Sequence, residues 1–227
     1  MHKMMLSLLL AGAMAGAVGC GGGGAKYHVN DNALAGASVQ EKQGVLAAQQ
    51  EKEVAKTEQS KAEADLRGIE TDLDLAENEY KATKLTLDSA KLTQKSVEQS
   101  GDVAKKQQVV NDTRVAQLGV KSADAKVDWL SKKRKWIKAQ RDAADAHYAA
   151  ADSRLELEKA KLAQQKGIKP SDDFNLMNFE TDNMKKQQTY SEARMDADKM
   201  QADVERMQRD YENQKQTFDS AKSASSH

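Results

Sequence analysis

Three stretches of this chain carry apolar residues at alternating steps of three and four without losing register, and no other feature limits the fold so sharply. The first runs from Val45 to Val97, and twelve of its sixteen positions are apolar, among them Leu66, Ile69, Leu73 and Leu87. The second runs from Val109 to Leu162, again with twelve of sixteen apolar. The third runs from Leu176 to Ala221, with eleven of fourteen. A spacing that averages 3.5 residues keeps one narrow stripe facing a partner over many turns, which is what helices that supercoil about one another require. A strand, whose side chains alternate with period two, cannot satisfy it.

The stretches are separated by breaks with a clear chemistry. Gln99-Ser100-Gly101-Asp102 offers a glycine to stop one helix and a Ser or Asp to cap the next. Gly167-Ile168-Lys169-Pro170-Ser171 is stronger, because Pro170 blocks continuation, and Ser171 or Asp172 can cap a new start. Ser38-Val39-Gln40-Glu41 matches a capping box ahead of the first stretch. The expected elements are helices over 38–98, 103–166 and 172–222, with a frayed tail at 223–227. At 1.5 Å per residue such helices are roughly 75 to 95 Å long, and short connections make neighbours antiparallel. The predicted fold is all-α, an elongated antiparallel three-helix coiled coil. Many seam positions are Ala, so each layer buries little area; Gly44, Gly68 and Gly119 interrupt the helices at about 1 kcal/mol each relative to Ala.

Composition agrees with a rod. Charged residues make up 31% of the chain and aromatics 4%, which leaves too few large apolar side chains for a globular core of this length. The 35 basic and 35 acidic residues balance, against the usual profile of disorder and against a nucleic-acid partner. No apolar run beyond the N-terminus approaches the ~20 residues that span a bilayer.

The N-terminus has the three parts of a secretion signal: His2 and Lys3, an apolar core from Met4 to Leu10, and small residues from Ala11 to Gly19. The only cysteine, Cys20, follows at once. Ala17-Val18-Gly19-Cys20 resembles the lipobox of bacterial lipoproteins, with Ala17 where that family usually has Leu. The resemblance implies that residues 1–19 are removed and that Cys20 becomes a diacylated N-terminus, the protein's membrane contact. Gly21 lacks the Asp that commonly retains such proteins in the inner membrane, which implies the outer membrane. Residues 20–37, with glycines at 21–24 and no period, read as the lipidated Cys and a flexible tether.

No catalytic or cofactor constellation emerges. His2, His28, His147 and His227 have no ligand spacing, no HExxH, P-loop or GxSxG is present, and neither a metal nor a cofactor is expected. One segment stands out: Trp129 and Trp136, seven residues apart, amid Lys132, Lys133, Arg134, Lys135 and Lys138. It reads in two ways. It is a patch for anionic groups or a partner, or it is register control against acidic residues on the facing helices, since reflection through the turns places 132–138 near 64–70, with Asp65 and Glu70, and near 202–208, with Asp203 and Glu205. Tyr80, Tyr148, Tyr190 and Tyr211 fall on seams, and the methionines of the third stretch read as seam filler or an adaptable surface.

The expected function is that of a non-enzymatic, lipid-anchored envelope protein whose rod is a scaffold, spacer or assembly partner, its partners being envelope proteins or further copies of itself. The alternatives are a holdase similar to the tentacled periplasmic chaperones, or a hairpin similar to the adaptors of efflux and secretion systems. The β-rich domains of both families have no counterpart here. Resemblance to the small murein-linked lipoproteins stops at shape, since the chain ends in Ser226-His227 rather than Lys.

Overall fold

A computed structural model describes residues 24–99 and 103–225. It is all-helical, with α1 over Gln43–Glu98, α2 over Val103–Gln165 and α3 over Leu176–Ser225, preceded by a single 3₁₀ turn at Asp31–Leu34. The α-helices hold 56, 63 and 50 residues, about 84, 95 and 75 Å at 1.5 Å per residue. Residues 1–23, 100–102 and 226–227 lie outside the described part, and with them the signal segment, Cys20, most of the first turn and the end of the tail expected to fray.

Cross-helix pairs fix the directions. From Lys52–Asp152 at 2.6 Å through Arg134–Glu70 at 2.9 Å to Lys126–Glu79 at 2.6 Å, numbers rise on α1 as they fall on α2. Ser153–Asn183 at 3.2 Å and Lys132–Asp203 at 2.8 Å do the same for α2 and α3. Both pairings are antiparallel. The helices are not mutually equivalent, however: α1 and α3 each pack along α2, and no Cα of α1 comes within 8 Å of one of α3 among the described residues. The rod is a layer with α2 in the middle.

Two clusters of large side chains hold it. Midway, Ile69, Leu73 and Ala76 of α1 meet Leu130 and Ile137 of α2, all at most 8% exposed, with Trp129 and Trp136 packed alongside. At the end where α1 begins, Leu157, Ala160, Leu162 and Ala163 of α2 pack with Phe179 of α3 and with Val29 and Leu34 of the preceding segment. Between the clusters the α1–α2 seam relies on small residues such as Ala48 and Ala55. Polar seam residues find partners within the chain, Gln59 with Asp145 and Asn183 with Ser153, which fixes register at some cost in stability.

The helix ends differ in detail from expectation. Ser38 and Glu41 do exchange capping bonds: the Ser38 amide donates to Glu41 Oε2 at 2.8 Å and the Glu41 amide to Ser38 Oγ at 3.4 Å. They close a turn, however, and α1 starts only at Gln43. The α3 cap is Asn175, whose Oδ1 accepts from the Met177 amide at 3.0 Å, in place of Ser171 or Asp172; these residues open a preceding turn. After α2, the Ile168 amide donates to Ala163 O at 2.9 Å and the Gly167 amide to Gln164 O at 3.0 Å, a Schellman closure. It needs the left-handed φ of 65° that Gly167 supplies. Residues 223–225, expected to fray, continue α3.

Gly68 has open space where a Cβ would stand. Gly68→Ala is therefore expected to stabilise the rod by about 1 kcal/mol through helix propensity alone. A thermal melt followed by circular dichroism should show the rise, about 2 to 4 °C for a chain of this size.

Candidate functional site

The 20–37 tether of the sequence reading is corrected from Gly24 onward. This segment is a strap bound to the side of α2. Its amides are taken up by two carboxylates one helical turn apart: Ala25 N donates to Asp152 Oδ2 and Val29 N to Glu156 Oε2, each at 2.7 Å. Val29 and Leu34 are buried, and Tyr27 meets Phe179 with ring centroids 5.5 Å apart. Gly24 lies so close to Asp152 that a Cβ would stand 2.5 Å from its carboxylate. With α1, α3 and the strap around it, α2 is buried at every position from Ala149 to Leu157 except Arg154.

Charges bind the strap into this collar. Lys52 of α1 reaches Asp152 at 2.6 Å, and Lys159 bridges Glu156 at 2.9 Å and Asp31 of the strap at 2.8 Å. Burial works against the Asp152 charge, but the bonds from Lys52 and the Ala25 amide outweigh it and hold its carboxyl below the usual value. Burial likewise opposes the Lys159 ammonium, and Asp31 with Glu156 lifts it above the usual value. Beyond the strap, Lys166 and the Ser38 amide hold Glu41 down to about 2. Sequence reasoning missed Asp152 and Glu156. Their only sequence signal is a pair of carboxylates at i and i+4 inside an Ala- and Leu-rich run, which periodicity scores as flank.

Cys20 lies outside the described residues. It precedes Gly24 by four residues, so at most about 14 Å of extended chain separates the two.

The basic run is divided among several surroundings. Arg134 turns to α1, giving Nε and a terminal nitrogen to Glu70 Oε1 at 3.1 and 2.9 Å. Lys132 turns to α3 and pairs with Asp203. Lys133 lies over the Trp129 ring, 5.3 Å from its centroid. Lys135 and Lys138 stay exposed. Trp129 is stacked on Tyr211 of α3 at 5.4 Å, and Trp136 packs on the midway cluster, so both rings serve the interior. Of the four acidic candidates Asp65, Glu70, Asp203 and Glu205, Glu70 and Asp203 take part in these pairs. Both are partly exposed and contribute ~0 to 1 kcal/mol each.

His147 joins the two outer helices, bonded through Nδ1 to Glu58 Oε2 at 2.7 Å and stacked on Tyr190 at 4.5 Å. No family model matches this chain, and no curated protein or solved structure matches it either. Among the described residues no three His, Cys, Asp or Glu side chains gather as a metal site would require, and no helix is long and apolar enough to cross a membrane. What the collar can do is mechanical: it joins the start of the chain to the side of α2 through paired charges and buried amides.

Proposed function

We propose that the protein is a non-enzymatic envelope lipoprotein, acylated at Cys20, that presents its helical layer as a rod-shaped scaffold or spacer, at the outer membrane. The observation that carries this reading is the strap. A lipid on Cys20 would sit four residues from a segment bonded into the rod, instead of at the end of a loose tether. Strap and rod then move together, and a load on the anchor reaches α2 through Asp152 and Glu156. The strap meets α2 at Asp152, thirteen residues before that helix ends. That is about 20 Å up the side of the rod, more than the roughly 14 Å that Cys20 can reach. An anchor at Cys20 would therefore tie the bilayer to the side of the rod, above its basal end.

A second reading, an adaptor hairpin, draws on the opposite end. Ser225 of α3 lies beside Asn111, so the α1–α2 pair extends past the last described turn of α3, with Leu92 and Val103 exposed.

The test is crosslinking of the full-length protein in its own cells, followed by pull-down and mass spectrometry, with Cys20→Ala alongside. The scaffold reading expects one or two envelope proteins in fixed ratio to the bait, lost with the anchor. Many unfolded outer-membrane clients would overturn it in favour of a holdase. Components of one transport machine held at the 92–110 tip would favour the adaptor.

A further inference from the structure

We infer that the outward face of α1 is a second helix-packing seam, and that it binds the same face of another copy of this chain. The positions two residues beyond each seam position lie about 200° round a helix, on its far side. On α1 these run by threes and fours from Ala47 to Ser96, fifteen positions in all, and Lys61 is the only charged one. All fifteen are exposed. They include Val54, Leu75, Leu85 and Leu92, which are 56 to 70% exposed. The charges of α1 crowd the flanks instead, as at Glu53, Asp65, Arg67, Asp74 and Lys81. An uncharged stripe between charged flanks is the pattern of a coiled-coil contact face.

The other two helices show what the pattern means in this protein. The corresponding face of α2, from Asn111 to Gln164, has sixteen positions and one charge, Lys132. That face is occupied: α3 packs on it through Trp129–Tyr211 and Ser153–Asn183. The corresponding face of α3, from Asn178 to Ser223, has five charges in fourteen positions, and among the described residues no other helix packs on it. So α2 has two neighbours, with three charges on the face toward α1 and one on the face toward α3, while α3 has one neighbour, with one charge on its inner face and five on its outer face. Among the described residues only α1 carries no more than one charge on each of two faces and has a single neighbouring helix.

The chain offers one unused seam, and the surface that complements it is another of the same kind, met about a two-fold axis. From Ala47 to Ser96 the stripe is about 74 Å long. With a contact width of about 10 Å it would bury on the order of 750 Å² per copy, close to the ~800 Å² per partner of a stable complex. The inference rests on α1 alone and stands whether or not Cys20 is acylated.

The test is the mass of the full-length chain in a mild detergent, by sedimentation with the detergent matched out. Two copies per particle are expected. Leu85→Glu with Leu92→Glu should halve the protein mass while circular dichroism keeps its helical signal, because the two side chains are 70 and 68% exposed. Met195→Glu, on the outward face of α3, should leave the dimer intact, and Lys61→Leu should tighten it. A wild-type monomer at tens of micromolar would overturn the inference, as would a dimer that survives the double substitution. A different protein crosslinked along the stripe in cells would overturn it as well.

Discussion

Leu130→Ala is expected to cost the rod about 3 kcal/mol and to split its unfolding into two steps. Leu130 is 4% exposed and sits where Ile69, Leu73 and Ala76 meet Ile137. Removing three carbons there loses their transfer free energy and leaves a void that straight helices cannot close, a combination that costs 2 to 5 kcal/mol for Leu→Ala. The loss is not shared along the rod. The α1–α2 seam between this cluster and the collar is held by small residues, Ala48 and Ala55 among them, each burying a fraction of what a Leu buries. With the midway clamp weakened, the half of the rod beyond it has little to keep α1 on α2, and it should melt first. Denaturation followed by circular dichroism would show a broadened or biphasic curve. Val39→Ala, at a 74% exposed position, should leave the curve unchanged.

Asp152→Ala should detach the strap. The substitution removes the acceptor of the buried Ala25 amide and the partner of Lys52 together. An orphaned buried amide costs about 1 to 3 kcal/mol. Lys52 is 26% exposed and can turn to water, so its lost partner adds little. The expected total is about 2 kcal/mol, concentrated on a segment whose other holds include the Lys26 amide on Asp182, Tyr27 on Phe179, Val29–Glu156, Asp31–Lys159 and the packing of Val29 and Leu34. Trypsin should then cut after Lys26 much faster than in the parent protein. Asp152→Asn keeps an oxygen for the amide and loses only the charge, and its strap should stay more protected. The pH dependence follows from the sign of the shift. Asp152 lies below its usual 3.8 in the folded chain, so its contribution is full above that value and fades as the pH falls further. Glu41, held down to about 2, keeps its charge and its pairing with Lys166 until the pH nears that value.

The long helices were legible because their determinant is periodic. Steps of three and four from Val45, Val109 and Leu176 locate the seams, and reflection through the turns places 132–138 near 64–70 and 202–208, the stretches from which Glu70 and Asp203 meet Arg134 and Lys132. The central place of α2 was legible as well, in the uncharged far face from Asn111 to Gln164, but only once each helix is read on two sides. The collar was not. Its order comes from single pairings between backbone amides and carboxylates 127 residues away, which leave no period in the sequence. Residues 24–37 look loose because they are small, polar and aperiodic and follow the glycines at 21–24, and they are held because α2 supplies what they lack. The α3 start was misplaced for a related reason: Ser171, Asp172 and Asn175 are all competent caps, and the packing of Phe174 and Leu176 into the basal cluster favours the last.

The docked strap is tested most directly by amide hydrogen exchange at Ala25 and Val29 in the full-length protein. If these amides are bonded to Asp152 and Glu156, they exchange at least about tenfold more slowly than in an unstructured segment, and Asp152→Ala abolishes the protection at Ala25. Exchange at the unstructured rate in the parent protein would mean a loose tether, with no rigid link between the start of the chain and the rod.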